Sequence, residues 1–176
     1  SHADVRARDR YLNARSTLST LLAMNVLPIV NENDTVVTDE IRLGDNDTLA
    51  ALVANLIDAD ALLILTDQDG LMDRDPRQSA DAALIQTADV HDSSLDAIAG
   101  AGSALGRGGM ATKLSAARLA ARSGTATVIA NGRRPDAITQ VAGGASMGTF
   151  LQTQRQPQSA RKQWLASLLH AQGSLV

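Results

Sequence analysis

Short apolar runs rich in branched side chains alternate along this chain with segments of helical period, and that alternation restricts the fold more than any other feature. Residues 26–30, 61–66, 126–130 and 148–152 read as strands: each is too short for a helix, and polar or glycine-containing turns separate them from their neighbours. Helices are predicted between them. One spans 4–24, where Tyr11, Ala14, Leu18, Leu21 and Leu22 recur at helical spacing with arginines opposite. A second begins near Thr48 and carries Leu49, Leu52, Val53, Leu56 and Ile57 on one face. A third, rich in alanine, runs over 110–123 and is closed by Gly124 as a left-handed cap. Shorter ones are expected at 94–99 and at 138–141, the latter introduced by Pro135 and Asp136. Residues 35–43 suggest a hairpin or flap, and the pattern between 71 and 102 is weak around Pro76. Strands alternating with helices imply an α/β fold, a mostly parallel sheet sandwiched by helices. Ligands then bind beyond the carboxyl ends of the strands, so the loops after residues 30, 66 and 130 are the ones to read for function.

Composition removes several classes of function. The 176 residues contain no cysteine, which excludes a disulfide scaffold, a thiolate zinc site and a cysteine nucleophile, and favours a cytoplasmic protein. His2, His91 and His170 share no metal-ligand spacing. A net charge of -3, with Tyr11, Phe150 and Trp164 as the only aromatics, argues against nucleic acid as a partner. The longest apolar run, 49–54, falls far short of the ~20 residues of a membrane helix. No basic, apolar leader opens the sequence, and none is expected.

Four polar segments could carry chemistry. Asn31-Glu32-Asn33-Asp34 follows the first predicted strand; it is either a plain turn or a loop whose amides and carboxylates hold an amino acid. Asp45-Asn46-Asp47 precedes the second helix, where one side chain would cap the helix and leave two directed at the strand ends. Thr66-Asp67 ends the second strand, as a turn or as a nucleotide contact. The strongest signal is Gly106-Arg107-Gly108-Gly109-Met110-Ala111-Thr112-Lys113, which joins a flexible loop to a helix start and a first-turn lysine. It is not a Walker A loop, and it lacks the preceding strand of a dinucleotide fingerprint. Lys113 and Lys162 are the only lysines, so a lysine here, where arginine is otherwise used, points to a compact cation beside an anion, the alternative being an ordinary surface lysine of a first helical turn.

Taken in order, Val26-Leu27-Pro28-Ile29-Val30-Asn31-Glu32-Asn33-Asp34, Gly44-Asp45-Asn46-Asp47, Leu63-Ile64-Leu65-Thr66-Asp67 and Gly108-Gly109-Met110-Ala111-Thr112-Lys113 resemble the amino acid kinase family. The resemblance runs from about residue 4 to about residue 164 and implies a carbamate kinase-like fold, in part. It implies transfer of a phosphoryl group from ATP to the side-chain carboxylate of L-glutamate, giving γ-glutamyl phosphate for proline biosynthesis, with Mg2+ accompanying ATP. By the same resemblance Asp34 and Asn46 would bind glutamate and Asp47 would organise the catalytic lysine. Thr66 and Asp67 would contact the nucleotide, and Arg107, Gly108, Gly109, Met110, Ala111, Thr112 and Lys113 would cradle its phosphates. Lys113 would neutralise charge on the transferred group.

Two further family motifs, a Lys-Leu-Gly-type strand and a Thr-Ser-Gly-Ala-type loop, do not occur in this sequence. The expectation is therefore a carboxyl-terminal part of a kinase domain over 4–153, inactive alone. Residues 154–176 would be a linker toward a PUA-type domain. Apolar surface left uncovered would favour a homo-oligomer. A kinase for another acid and a non-catalytic nucleotide-binding module are the alternatives.

Overall fold

A computed structural model describes residues 2–31, 46–76, 78–100 and 109–153. In chain order its elements are α1 (His2–Ala23), α2 (Asn46–Leu56), β1 (Ala61–Thr66), β2 (Thr87–Asp89), α3 (Ser94–Gly100), α4 (Met110–Ala121), β3 (Ala126–Asn131), α5 (Ala137–Ala142) and β4 (Thr149–Gln152). The strands form one sheet in the order β1-β3-β4-β2. β1 pairs with β3, and β2 with β4, in parallel; only the β3–β4 ladder is antiparallel. The sheet is thus mostly parallel, as the alternation of elements implies.

Alternating side chains give the sheet two unlike faces. Leu62, Ile64, Ile129 and Leu151 point to one face and join Ala51, Leu95, Ala99 and the alanines of α4 in the core. The other face is thinner: Val128 and Phe150 line a cavity of about 360 Å³ with Val141 and the turn after α5, and Phe150 remains 41% exposed.

Helix α2 departs from its expected orientation. Its most buried residues are Ala51, Ala54 and Asn55, whereas Leu49, Val53 and Ile57 are half-buried and line a groove of about 450 Å³ beside β1. Close approach to α4 requires small side chains, so the alanines take the inner position and the larger ones turn aside. Among the described side chains of α1, from residue 9 onward, the least exposed are Tyr11, Arg15, Leu18 and Leu21. Arg15 interrupts the apolar stripe and pairs with Asp58, a left-handed residue just beyond α2.

The predicted strand at 26–30 is not formed. Leu27 and Ile29 are 83% and 93% exposed, while Pro28 and Val30 border the groove along α2 and β1. A short branched run becomes a strand only where a neighbour supplies hydrogen bonds and an apolar face, and among the described residues β1 has a partner on one edge only. The hairpin expected at 35–43 lies outside the described residues. Strand β2, only three residues long, has no readable period and was not expected. Among the described residues no helix is long and apolar enough to cross a membrane.

The excursion from β1 to β2 is fastened to β4 by Thr149, which is fully buried. Its hydroxyl accepts from the Leu71 amide at 2.8 Å and donates to the Ile85 carbonyl at 2.6 Å. The preceding Gly148 has φ of +80°, and a Cβ there would lie 2.1 Å from the Ile129 carbonyl oxygen. Gly148→Ala therefore combines backbone strain with a backbone clash. It should lower the unfolding free energy by roughly 2–4 kcal/mol, which urea denaturation followed by circular dichroism will measure.

Candidate functional site

The connection from α2 to β1 is short, so helix and strand run in opposite directions and the start of α2 lies toward the carboxyl end of β1. Helix α4 and β3 are joined in the same way, and β3 is parallel to β1. The amino termini of α2 and α4 and the carboxyl ends of both strands consequently occupy one end of the layers.

At that end the two helices meet through charge. Lys113 Nζ, in the first turn of α4, donates to Asp47 Oδ2 at 2.9 Å. The side chains are 10% and 16% exposed. Thr112 Oγ1 lies 3.4 Å from the same carboxylate oxygen and donates to the Gly109 carbonyl at 2.7 Å. A lysine in a first helical turn opposes the helix dipole, so it needs a local anion; Asp47 supplies one from the first turn of α2. An ammonium has three donors, and this carboxylate accepts from one of them. Met110 and Ala111 open α4 beside this pair, after Gly109 as the cap residue with no side-chain cap hydrogen bond.

The strand ends bring a second polar group. Thr66 Oγ1 donates to Asp67 Oδ1 at 3.3 Å, and the Gly132 amide donates to the Thr66 carbonyl at 2.9 Å. Next to them Asp69 accepts from Asn131 Nδ2 at 3.0 Å and pairs with Arg134 at 2.9 Å. The Asn131 hydrogen bond, reinforced by Arg134, holds the Asp69 carboxyl below the usual carboxylate range. Asp69 and Arg134 border a cavity of about 200 Å³ together with Gln140 and Ser146.

Of the residues singled out from sequence, Asp47, Thr112 and Lys113 are in contact. Gly109, Met110 and Ala111 form the helix start beside them. Thr66 and Asp67 sit at the neighbouring strand end. Asn46 is the first residue of α2 and faces the groove bordered by Pro28 and Val30. It lies within the helix, as does Asp47, rather than ahead of it. Asp34, Arg107 and Gly108 are outside the described residues. The Asp69–Asn131–Arg134 group was missed. Its signal was present, because Asn131 and Arg134 follow the third predicted strand, at the position where such sheets bind ligands.

The fold and site define an α/β protein with a paired lysine and two helix amino termini gathered at the carboxyl ends of parallel strands. A model of the amino acid kinase family matches residues 1–131, and the chain belongs to that family. It is 58% identical to a glutamate 5-kinase of Chromohalobacter salexigens and 61% identical to one of Alcanivorax borkumensis, in each case over 100% of this chain and 47% of the relative. The chain thus spans about half the length of the curated relatives it matches. Among solved structures, a UMP kinase of Bacillus anthracis shares the fold with a TM-score of 0.58 at 18% identity, over 78% of this chain and 50% of that one. A carbamate kinase of Giardia lamblia, bound to AMP-PNP, matches with a TM-score of 0.56 at 20% identity, over 79% and 44% of the two chains.

Asp69 and three other carboxylates predict an acid limit to stability. Asp73, Asp92 and Asp96 are also held low, by the Arg74 side chain, the Ser94 amide and the Arg118 guanidinium respectively. With folded values below the unfolded ~3.9, their contribution is present above about pH 4 and is lost as pH falls through the folded values. The urea midpoint should therefore be lower at pH 3 than at pH 6. Asp69→Asn should flatten that difference, by a modest amount because the group is half exposed and solvent-screened.

Proposed function

We propose that this chain supplies the nucleotide-handling part of a glutamate 5-kinase. The observation that carries the proposal is the Lys113–Asp47 pair between two helix amino termini, in a sequence about 60% identical to glutamate 5-kinases throughout its length. In the reaction, a side-chain carboxylate oxygen of glutamate attacks the γ-phosphorus of ATP. The bond from that phosphorus to the β–γ bridging oxygen breaks, leaving γ-glutamyl phosphate and ADP. Such a transfer needs positioning and charge stabilisation but no protein nucleophile.

Lys113 is suited to neutralise charge on the phosphoryl oxygens as they move, while Asp47 keeps the ammonium in place. Amides of Met110 and Ala111, with the segment Arg107 to Thr112, would hold the phosphates. Thr66 and Asp67 are assigned to the nucleotide, and Asn46 with Asp34 to glutamate, whose ammonium group suits Asp34. Among the described residues no group of three or more His, Cys, Asp or Glu side chains could cage a metal ion. Mg2+ accompanying ATP would be held mainly by phosphate oxygens and water and would supply positive charge to the transferred group.

On this reading residues 4–153 are a carboxyl-terminal part of the kinase domain and 154–176 a connector. The apolar residues Leu27 and Ile29 support association with a further copy or segment.

The chain by itself, given L-glutamate, ATP and Mg2+, should release no ADP above background in a coupled assay; turnover at the level of intact kinases would overturn the assignment of missing motifs. Calorimetry with AMP-PNP tests the phosphate site itself. Lys113→Ala should weaken binding by about tenfold or more, the scale of one charge-assisted contact. Equal affinity in the two proteins would remove Lys113 from the site.

A further inference from the structure

Asn55, only 8% exposed, sits at the far end of the α2–α4 contact, where the proposed chemistry has no use for it. Its Nδ2 donates to the Leu119 carbonyl at 3.0 Å, in the last turn of α4, and its Oδ1 accepts from the Ser123 hydroxyl at 2.6 Å. Asp47 and Asn55 lie about 12 Å apart along one helix axis. The two parallel helices are therefore joined by polar groups at both ends.

Between these ends the buried positions are small: Ala51 and Ala54 on α2, and Ala116, Ala117 and Ala120 on α4, are all 4% exposed or less. Alanine surfaces let helices approach closely, but their shallow ridges fix separation better than register. A slip of one residue moves a helix by about 1.5 Å, enough to break the 2.9 Å Lys113–Asp47 contact. Of the two polar joints, the one at Lys113 stands where an arriving anion competes for the ammonium. The one at Asn55 is buried and remote, and separating its partners would leave amide, hydroxyl and carbonyl groups without water.

We propose that Asn55 is a positioning residue: by setting the register of α2 on α4 it holds Asp47 against Lys113. The consequence for function rests on the reading of Lys113 as the phosphate-facing cation.

Lys113 and Lys162 are the only lysines, so amine-selective acetylation followed by peptide mass spectrometry compares Lys113 with an internal reference in the same chain. In chains shown by circular dichroism to be folded, Asn55→Leu and Ser123→Ala should each raise the Lys113 to Lys162 labelling ratio by about fivefold, the effect of one lost buried hydrogen bond. Ser123→Thr, which keeps the hydroxyl, should stay within about twofold of the unmodified chain. Leu151→Ala, a truncation on the separate strand β4, controls for lost stability and should also leave the ratio within about twofold.

An unchanged ratio in folded Asn55→Leu and Ser123→Ala, or an equal rise in Leu151→Ala, overturns the proposal. Should Asn55→Leu fail to fold, Ser123→Ala decides by the same ratio. Inorganic tripolyphosphate should slow Lys113 labelling in the unmodified chain. Failure to do so would overturn the phosphate reading alone, because the ratios without tripolyphosphate still report on Asn55.

Discussion

The close packing of α2 against α4 is the contact on which the site depends. Both helices start at the carboxyl ends of the strands, so their dipoles are parallel and their positive ends lie side by side, an arrangement that is unfavourable without a negative group. Asp47 provides that group and Lys113 is drawn to it. Small buried residues, with alanines at 51 and 54 on α2 and at 116, 117 and 120 on α4, suit a close approach of the two backbones.

The sheet contributes rigidity of a different kind. β1 and β3 align residue by residue from Ala61–Ala126 to Thr66–Asn131, which brings two polar strand ends into register. Gly132, Thr66, Asp69 and Asn131 then form a connected hydrogen-bonded rim. Thr149, buried in β4, ties down both ends of the long excursion between β1 and β2. The polar rim can thus rest on loops and still be well placed, because each loop is anchored to a strand within a few residues. The outer edge of β1 has no such completion among the described residues, and the chain spans about half the length of its curated relatives.

Much of this was legible in the order of residues. β1 was read with its full extent, and β3 and β4 to within a residue, because their runs are apolar and bounded by turn-forming residues. Gly124 is left-handed as expected, with φ of +84°, but α4 ends earlier, at Ala121 with Arg122 as its cap. The run at 26–30 resembles β1 in its branched apolar residues but carries Pro28, which has no amide to give a ladder, and lacks a strand neighbour among the described residues. The leucine-bearing face of α2 misled for a related reason. Periodicity reveals that a helix has an apolar face, but the face buried most deeply depends on how closely the opposing helix approaches.

By itself the sequence determined the sequence of elements and the chemical character of each loop. It also marked Lys113 as exceptional, since two lysines among sixteen basic residues make its type informative. Those are properties of local pattern and composition. Only the tertiary structure decided which of several acidic residues meets that lysine, for Asp47 lies 66 positions away and competes in the sequence with Asp34, Asp45 and Asp67. It likewise assembled Asn55 with Ser123 and Asp69 with Asn131 and Arg134. Such pairings depend on helix register and strand alignment, which are settled by packing between segments distant in the chain.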